Sequence, residues 1–464
     1  MNITHNKKQT KSFVVTSQNI DLLLNGRTLT SMKIKAVLIL FLYIAINAHA
    51  QHTAFTFDPN VRTLRVRYLS EALEPSGNPQ RPYLILKDGV VDGSEEDNTL
   101  EISFDELSHD IKQYSYRVEH CDRYWKKSDI SSYEYIDGFT TNDIVNYERS
   151  NNTQQEYTHY WLEFPSNDMQ LKASGNYVLQ VYEDGNLEKL VAEVRLQVVE
   201  PLLEIDMAVR HNTDIELSGR YQQLDIDVQT SNLNVRDAQE VCVMVTQNGR
   251  LDNLVVLDRP TFVDPKRLRY TNNKLLIFEG GNEFRRFDTY SVYYAGYNVD
   301  RVVYEQGEYH ALLNTDEVRG TMATGASREG TVYLSEVDAN GQWVVNCEKT
   351  DFVDTDAEYM WVHFVLPVKQ PIASPVFVGG DLFNNQYTIT NMMQYDADAK
   401  CYYLYAYLKQ GGYNYMYYTM DNRKMSLLTL EGSHWQTRNE YAVDVYYRPF
   451  GARYDRLVGK KITR

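Results

Sequence analysis

YSYRVEHCDRYWKKSDISSYEYIDG, residues 114–138, decides the fold class. Tyr114, Tyr116 and Val118 alternate with Ser115, Arg117 and Glu119. Large residues at a period of two are the pattern of a half-buried strand. Trp125 follows a short polar gap, and then come Tyr133, Tyr135 and an Asp137-Gly138 turn. A strand bearing large aromatics needs a second sheet to bury them, so the segment predicts a β-sandwich with Tyr114, Tyr116 and Trp125 in its core. Truncating a buried Trp125 to alanine is then expected to cost about 3–5 kcal/mol. His120, Cys121 and Asp122 read poorly as a nucleophilic site. Neighbours in a strand point to opposite faces, and a reactive thiolate needs a base poised in space and an electropositive setting.

The rest of the chain agrees with an all-β class. It holds 37 tyrosines, 16 phenylalanines and 5 tryptophans in 464 residues, a composition that favours strands over a length that calls for several domains. Residues 1–50 read as a signal region. Lys33 and Lys35 precede an apolar run at 36–46 and the small-residue site Ala48-His49-Ala50, so Gln51 is the expected mature N-terminus and Met32 an alternative start. The run falls short of the roughly 20 apolar residues needed to span a bilayer, and its cleavage zone has no cysteine for a lipid. An exported, soluble protein without its own membrane anchor is expected. The first fifty residues carry six basic and one acidic residue, leaving 41 Lys and Arg against 62 Asp and Glu, or about −21. That balance opposes nucleic-acid binding.

Strands are predicted at 61–69, 83–87, 100–107, 157–164, 176–183 and 191–200, which with 114–121 make an immunoglobulin- or fibronectin-like sandwich over 51–200. Residues 140–155 read as a long polar connection. Pro201 opens a middle β domain, 201–367, with strands at 221–230, 240–247, 274–280, 283–294, 331–337, 342–347 and 359–367. Asn340-Gly341 in it predicts a type I′ hairpin. Pro367 to Pro371 reads as a linker, and 371–464 as a final β-sandwich in which YYLYAYL (402–408) and YNYMYY (413–418) form a hairpin through Gly411-Gly412. The three domains in series read as a modular strut.

Chemistry-bearing motifs are lacking: there is no G-x-S-x-G, H-E-x-x-H or phosphate-loop pattern. No catalytic, cofactor-binding or metal-ligating residue is assigned. His159, between tyrosines, reads as a structural histidine. Glu95-Glu96-Asp97 and the group Asp351, Asp354 and Asp356 do not follow a calcium-loop spacing and read as solvated acidic loops. Cys121, Cys242, Cys347 and Cys401 permit three pairings that spacing does not rank, and they read as four buried free thiols. Arg285 and Arg286, between Glu283 and Asp288, read as a surface ion-pair cluster or bidentate staples to a neighbouring loop, with partner docking as the sharper alternative.

Several stretches together resemble the plug protein family of the type IX secretion system. They are ISFDELSHD (102–110), YSYRVEHCDRYW (114–125), EYIDGF (134–139), YTHYWLEFP (157–165), SGNYVLQVY (174–182), GGNEFRRFD (280–288), KQGGYNYMY (409–417) and YYRPFGARYDRLVG (446–459). The resemblance implies a non-enzymatic periplasmic subunit that closes the giant outer-membrane β-barrel translocon when no cargo occupies it. Motif position makes Arg285, Arg286, Arg448 and Arg453 the candidate docking residues. The final domain also looks like the E-set modules that bind glucans, through VFVGGDLFNNQY (376–387) and LKQGGYNYMYYTMDN (408–422). It lacks their tryptophan after the Asn. That departure speaks for kinship of fold over inheritance of the ligand; a carbohydrate-binding accessory protein acting through this domain is the alternative reading, which a flat exposed aromatic cluster near Tyr387 and Tyr413 would favour.

Overall fold

Strand pairing, followed through the computed structural model, builds three two-sheet sandwiches; the structure describes residues 54–73, 80–214, 219–321, 332–421 and 424–463. The expected signal region, the start at Met32 and Thr331 lie outside them. Helices among the described residues are single turns, such as Ser132–Tyr135 and Val353–Asp356.

In the first sandwich Tyr114–Cys121 pairs with Gly175–Glu183 and Thr141–Ile144. The facing sheet runs Val61–Tyr68, Leu100–Glu106, Thr158–Phe164, Asn146–Arg149. Tyr114 and Tyr116 are buried between them. The Tyr114 ring stands 5.2 Å from Phe104 and 4.9 Å from Tyr160 across the sandwich, and Tyr116 stands 6.4 Å from Phe164. The polar stretch read as a connection supplies two short strands, one to each sheet, because its alternating polar side chains suit an exposed edge.

Trp125 does not join that core. A bridge between Cys121 and Lys127 closes a tight turn that holds Trp125 in left-handed backbone, φ 63°. The indole is left half-buried under the Arg195 guanidinium, 4.8 Å from the ring centroid. Trp125→Ala is therefore expected to cost about 1–2 kcal/mol, below the range for a buried aromatic. Trp125→Gly should be no worse, since glycine takes positive φ freely. Urea midpoints of the two variants check this; a loss above about 3 kcal/mol for Trp125→Ala would restore the core assignment.

The second sandwich is discontinuous. Glu204–Arg210, Tyr221–Gln229, Arg267–Tyr270 and Phe262–Asp264 form one sheet, flanked by Ile277–Glu279. The other is Arg250–Leu257, Val241–Gln247, Tyr441–Tyr447 and Arg456–Thr463. Val241 to Gln247 pair in unbroken register with Tyr447 to Tyr441. The last hairpin of the chain thus belongs here and not with 371–464. The expected boundary at 367–371 also falls inside one sheet, since Tyr359–Pro367 pairs along its length with Cys401–Lys409. Its two prolines bracket the exit from a strand.

The third sandwich is inserted between those halves. One sheet holds Arg285–Asp288, Gly411–Asp421, Trp343–Val345 and Val376–Gly379. The other runs Val299–Glu305, Glu308–Leu313, Tyr359–Pro367, Cys401–Lys409, Gln394–Asp396. The two tyrosine-rich strands read as a hairpin both exist but lie in opposite sheets. Gly411 and Gly412 serve close approach: a Cβ would stand 2.2 Å from the Val344 carbonyl oxygen on the first and 2.6 Å from the Tyr290 hydroxyl on the second. Asn340 and Gly341 have φ of 51° and 86°, as a type I′ turn requires. Residues 332–337 before them form no strand, and Trp343–Val345 pairs instead with Gly411–Asp421.

Candidate functional site

The three sandwiches meet through buried charge. In Leu100–Glu106 the apolar Leu100, Ile102 and Phe104 face the first core, so Glu101, Ser103 and Asp105 face outward, yet all seven residues are buried. Their cover is the third sandwich. Asp105 Oδ1 lies 2.7 Å from His159 Nδ1, and Oδ2 accepts from the Tyr359 hydroxyl and the Lys409 ammonium, each at 2.7 Å. Lys409 also donates to the Asp354 carbonyl at 2.7 Å and sits 4.1 Å from the centre of the Tyr157 ring. Burial alone would raise the Asp105 carboxyl, but the Lys409 ammonium and His159 outweigh it and hold Asp105 below the usual carboxylate range. Beside it Arg65 and Arg67 grip the Asp354 carboxylate at 2.5 and 3.0 Å. His159 is a structural histidine of this junction, and Asp354 is one of its anions rather than part of a solvated loop.

One arginine reaches all three bodies. Arg81, from the first, donates from Nε to Glu440 at 2.8 Å and from Nη2 to the Asn248 carbonyl at 3.0 Å, both of the second. It also donates to Asp381 and, at 3.0 Å, to the Asn340 carbonyl of the third. Arg123 adds a two-point contact to Asp455, and the Tyr446 hydroxyl donates to Asn176 at 2.8 Å. Cross-contacts of this kind replace the expected strut in series. A cavity of about 1270 Å³ opens where the sandwiches converge, its wall mixing Arg67, Trp125, Met244, Asp381 and Lys460.

The four arginines picked from motif position are not brought together. Arg285 is internal, its side chain 8% exposed. It makes a two-point contact to Glu431, 3.0 Å at each nitrogen, and donates to Asp316 at 2.8 Å. It is the staple the sequence suggested, and as a docking residue it is corrected. Arg286 faces water with its guanidinium 4.5 Å from the Tyr297 ring centroid. Arg448 and Arg453 flank the turn between the chain's last two strands, Arg448 donating to the Ala452 carbonyl at 3.2 Å and Arg453 to Glu134.

His120, Cys121 and Asp122 serve separate purposes. Both His120 nitrogens are engaged, by the Ser128 hydroxyl at 2.8 Å and the Ser174 carbonyl at 3.1 Å, and burial pushes its pKa down to about 4. Burial pushes the Cys121 thiol up to about 12. Asp122 accepts from the amides of Tyr124 and Lys126, each at 2.9 Å, and so closes the Trp125 turn. All four cysteines are free; Cys401 is half-buried and the other three are buried. Tyr387 and Tyr413, the expected sugar platform, lie in cores. Among the described residues no cluster of His, Cys, Asp or Glu is placed to hold a metal ion, and no helix is long and apolar enough to cross a membrane.

Sequence reasoning missed Asp105, Lys409 and Arg81. The available signal was a charge set among large aromatics, as Lys409 stands at the end of CYYLYAYLK.

Comparison with known proteins bears on the whole arrangement. The family model described as type 9 secretion system plug protein 1st domain matches residues 89–200, most of the first sandwich. Among solved structures the chain is similar to the crystal structure, at 2.30 Å resolution, of a hypothetical protein from Parabacteroides merdae ATCC 43184. The two share 32% sequence identity with a TM-score of 0.81, over 89% of this chain and 99% of that one. No curated protein matches. With its first sandwich matched by the family model and the architecture shared at that identity over nearly its whole length, the chain belongs to the type 9 secretion system plug protein family.

Proposed function

We propose that this protein is a non-enzymatic periplasmic subunit that closes the opening of the outer-membrane β-barrel translocon of the type 9 secretion system while no cargo occupies it. The observation that carries this reading is the locking of three sandwiches by buried charge at Arg81 and Asp105. A pore wide enough for folded cargo leaks small solutes unless something broad and stiff covers it, and three cores that cannot shear past one another supply such a body. Family membership supports the assignment to this secretion system. Arriving cargo must displace the plug, which favours a polar contact of moderate size over an obligate hydrophobic one. Deleting the gene should raise outer-membrane permeability to small hydrophilic solutes, and restoring the chain should reverse it. Unchanged permeability in cells whose translocon is present and otherwise open would sink the proposal.

A further inference from the structure

The outer face of each sheet shows what it meets. On the sheet of Tyr114–Cys121 it carries Arg117 and Glu119, and on that of Tyr221–Gln229 Asp225 and Asp227, salt-bridged surfaces suited to water. The outer face of Leu100–Glu106 is covered by the third sandwich at Asp105. Cys242 and Met244 pack with Tyr83 and Val199 of the first sandwich. Met416 and Tyr418 form a cluster with Tyr387, and Arg250 of the second sandwich lies 4.7 Å from the Tyr418 ring centroid.

The sheet running from Val299–Glu305 to Gln394–Asp396 is covered at one end, where Tyr359 and Lys409 meet Asp105 and the Tyr407 hydroxyl donates to Gln155 of the first sandwich at 3.1 Å, but beyond that end its outer face follows neither pattern. Strand register places Leu312, His363 and Tyr405 outward in one row and His310, Trp361 and Tyr407 in the next. A sheet with one solvated face normally alternates to polar residues there, but this one turns large, uncharged side chains both ways. His310 Nδ1 lies 3.0 Å from His363 Nε2, so one ring donates to the other. Burial, then the neighbouring His310, pushes His363 down to about 4, leaving it neutral at pH 7. Tyr405 is 52% exposed, and among the described residues these side chains belong to no core cluster.

We infer that this face is a docking surface for a protein, the translocon barrel, at a patch with an apolar centre framed by lysine or arginine. The inference rests on the plug reading above. Charge favours a basic frame, because Glu305, Glu308 and Asp398 stand exposed at the margins of the sheet and Asp396 half-buried, with Lys400 and the Asp300-paired Arg301 as the nearby cations. The same acidic margin opposes a second copy of this chain. Five strands about 4.8 Å apart and some five residues of about 3.3 Å each give roughly 300 Å². That is well under the roughly 800 Å² per partner of a stable complex, and suits a contact that cargo can break. A sugar platform fits less well, because the rings are tilted: Trp361 to Tyr407 by 43°, His363 to Tyr405 by 44° and Tyr403 to Tyr405 by 41°.

The test is capture of the β-barrel by the tagged full-length chain from detergent-solubilised outer membranes, with solute permeability read in the same strains. Leu312→Glu with Tyr405→Glu should cut recovered barrel by about tenfold or more and raise permeability to the deletion level. The melting temperature should stay at the wild-type value. Tyr405→Asp alone, at the most exposed position, should act in the same direction if the double variant folds poorly. Asp206→Ala with Gln229→Ala on the charged face should bind as wild type. Face variants that capture the barrel normally overturn the inference and leave the plug reading standing; a wild-type chain that captures none overturns both. A wild-type dimer, or retention on immobilised glucan, that the face variants abolish would assign the surface to another occupant and overturn the inference.

Discussion

Replacing Glu431 with glutamine is expected to lower the stability of this protein by about 3–5 kcal/mol, the loss seen when one partner of a buried ion pair is removed. Its carboxylate is fully buried and faces two guanidiniums, Arg285 at 3.0 Å and Arg319 at 2.7 Å, and it also accepts from the Tyr417 amide at 2.9 Å. Glutamine keeps the shape and one acceptor but leaves Arg285 with Asp316 as its anion and Arg319 with the Glu283 carbonyl. The pH profile separates this from a packing defect. Burial would raise Glu431, but Arg285 and Arg319 hold it down to about 2, against 4.5 for an ordinary glutamate. A group depressed on folding stabilises fully above its unfolded pKa and loses that contribution as pH falls through the folded one. Glu431 therefore contributes above pH 4.5 and fades toward pH 2. His120, ordinarily near 6.5 and pushed down to about 4, adds a loss in the same direction that starts higher. Urea midpoints of the wild type should fall on acidification from about pH 6.5. In Glu431→Gln the limb from pH 6.5 to 4.5 should persist and the limb below 4.5 should flatten. Parallel profiles for the two proteins would show that the carboxylate does not act through its charge.

Asp105→Ala should be as severe, again about 3–5 kcal/mol, and its damage should appear between sandwiches. With Asp105 0% and Lys409 1% exposed, the substitution strands an ammonium that water does not reach, facing the Asp354 carbonyl and the rings of Tyr157 and Tyr359. If the pair matters as a pair, replacing both ends by Asp105→Leu with Lys409→Met should recover most of the loss, since apolar residues of similar volume often substitute for a buried ion pair at little cost. Hydrogen exchange should show new opening at Val353–Asp356 and in Thr158–Phe164, with the sheet of Tyr114–Cys121 protected as before. A double variant as unstable as the sum of its parts would argue against coupling.

What was legible in the sequence was what local alternation controls. Val61–Tyr68, Leu100–Glu106, Tyr114–Cys121 and Tyr359–Pro367 lie where their patterns put them. Partnership was not legible, because the same alternation serves a hairpin and two strands in opposite sheets. The strands on either side of Gly411 differ only in which sheet completes them, and that depends on Trp343 and Phe287, far away in the chain. Trp125 misled for a related reason: aromatic size argues for burial, while the tight turn closed by Cys121 and Lys127 decides where the ring can go. The junction was illegible because Asp105 looks like any outward polar residue until another sandwich covers it. Arg285 looked like a surface charge for the same reason.

The insertion of one sandwich into another has a consequence for how the chain is made. Synthesis proceeds from the N-terminus, and Gln247 must wait for Tyr441, 194 positions later, before their strands can pair. During that interval Val241–Gln247 offers an open, apolar edge, the kind of surface that recruits other chains. Long-range pairing of this sort is also slow to form. The final hairpin, Tyr441–Tyr447 with Arg456–Thr463, then works as a latch. It closes the second sandwich only after everything between has emerged, and it brings Asp444 and Tyr446 to Gln197 of the first sandwich in the same act. Maturation is thereby ordered, with the last segment to arrive being the one that holds the rest together.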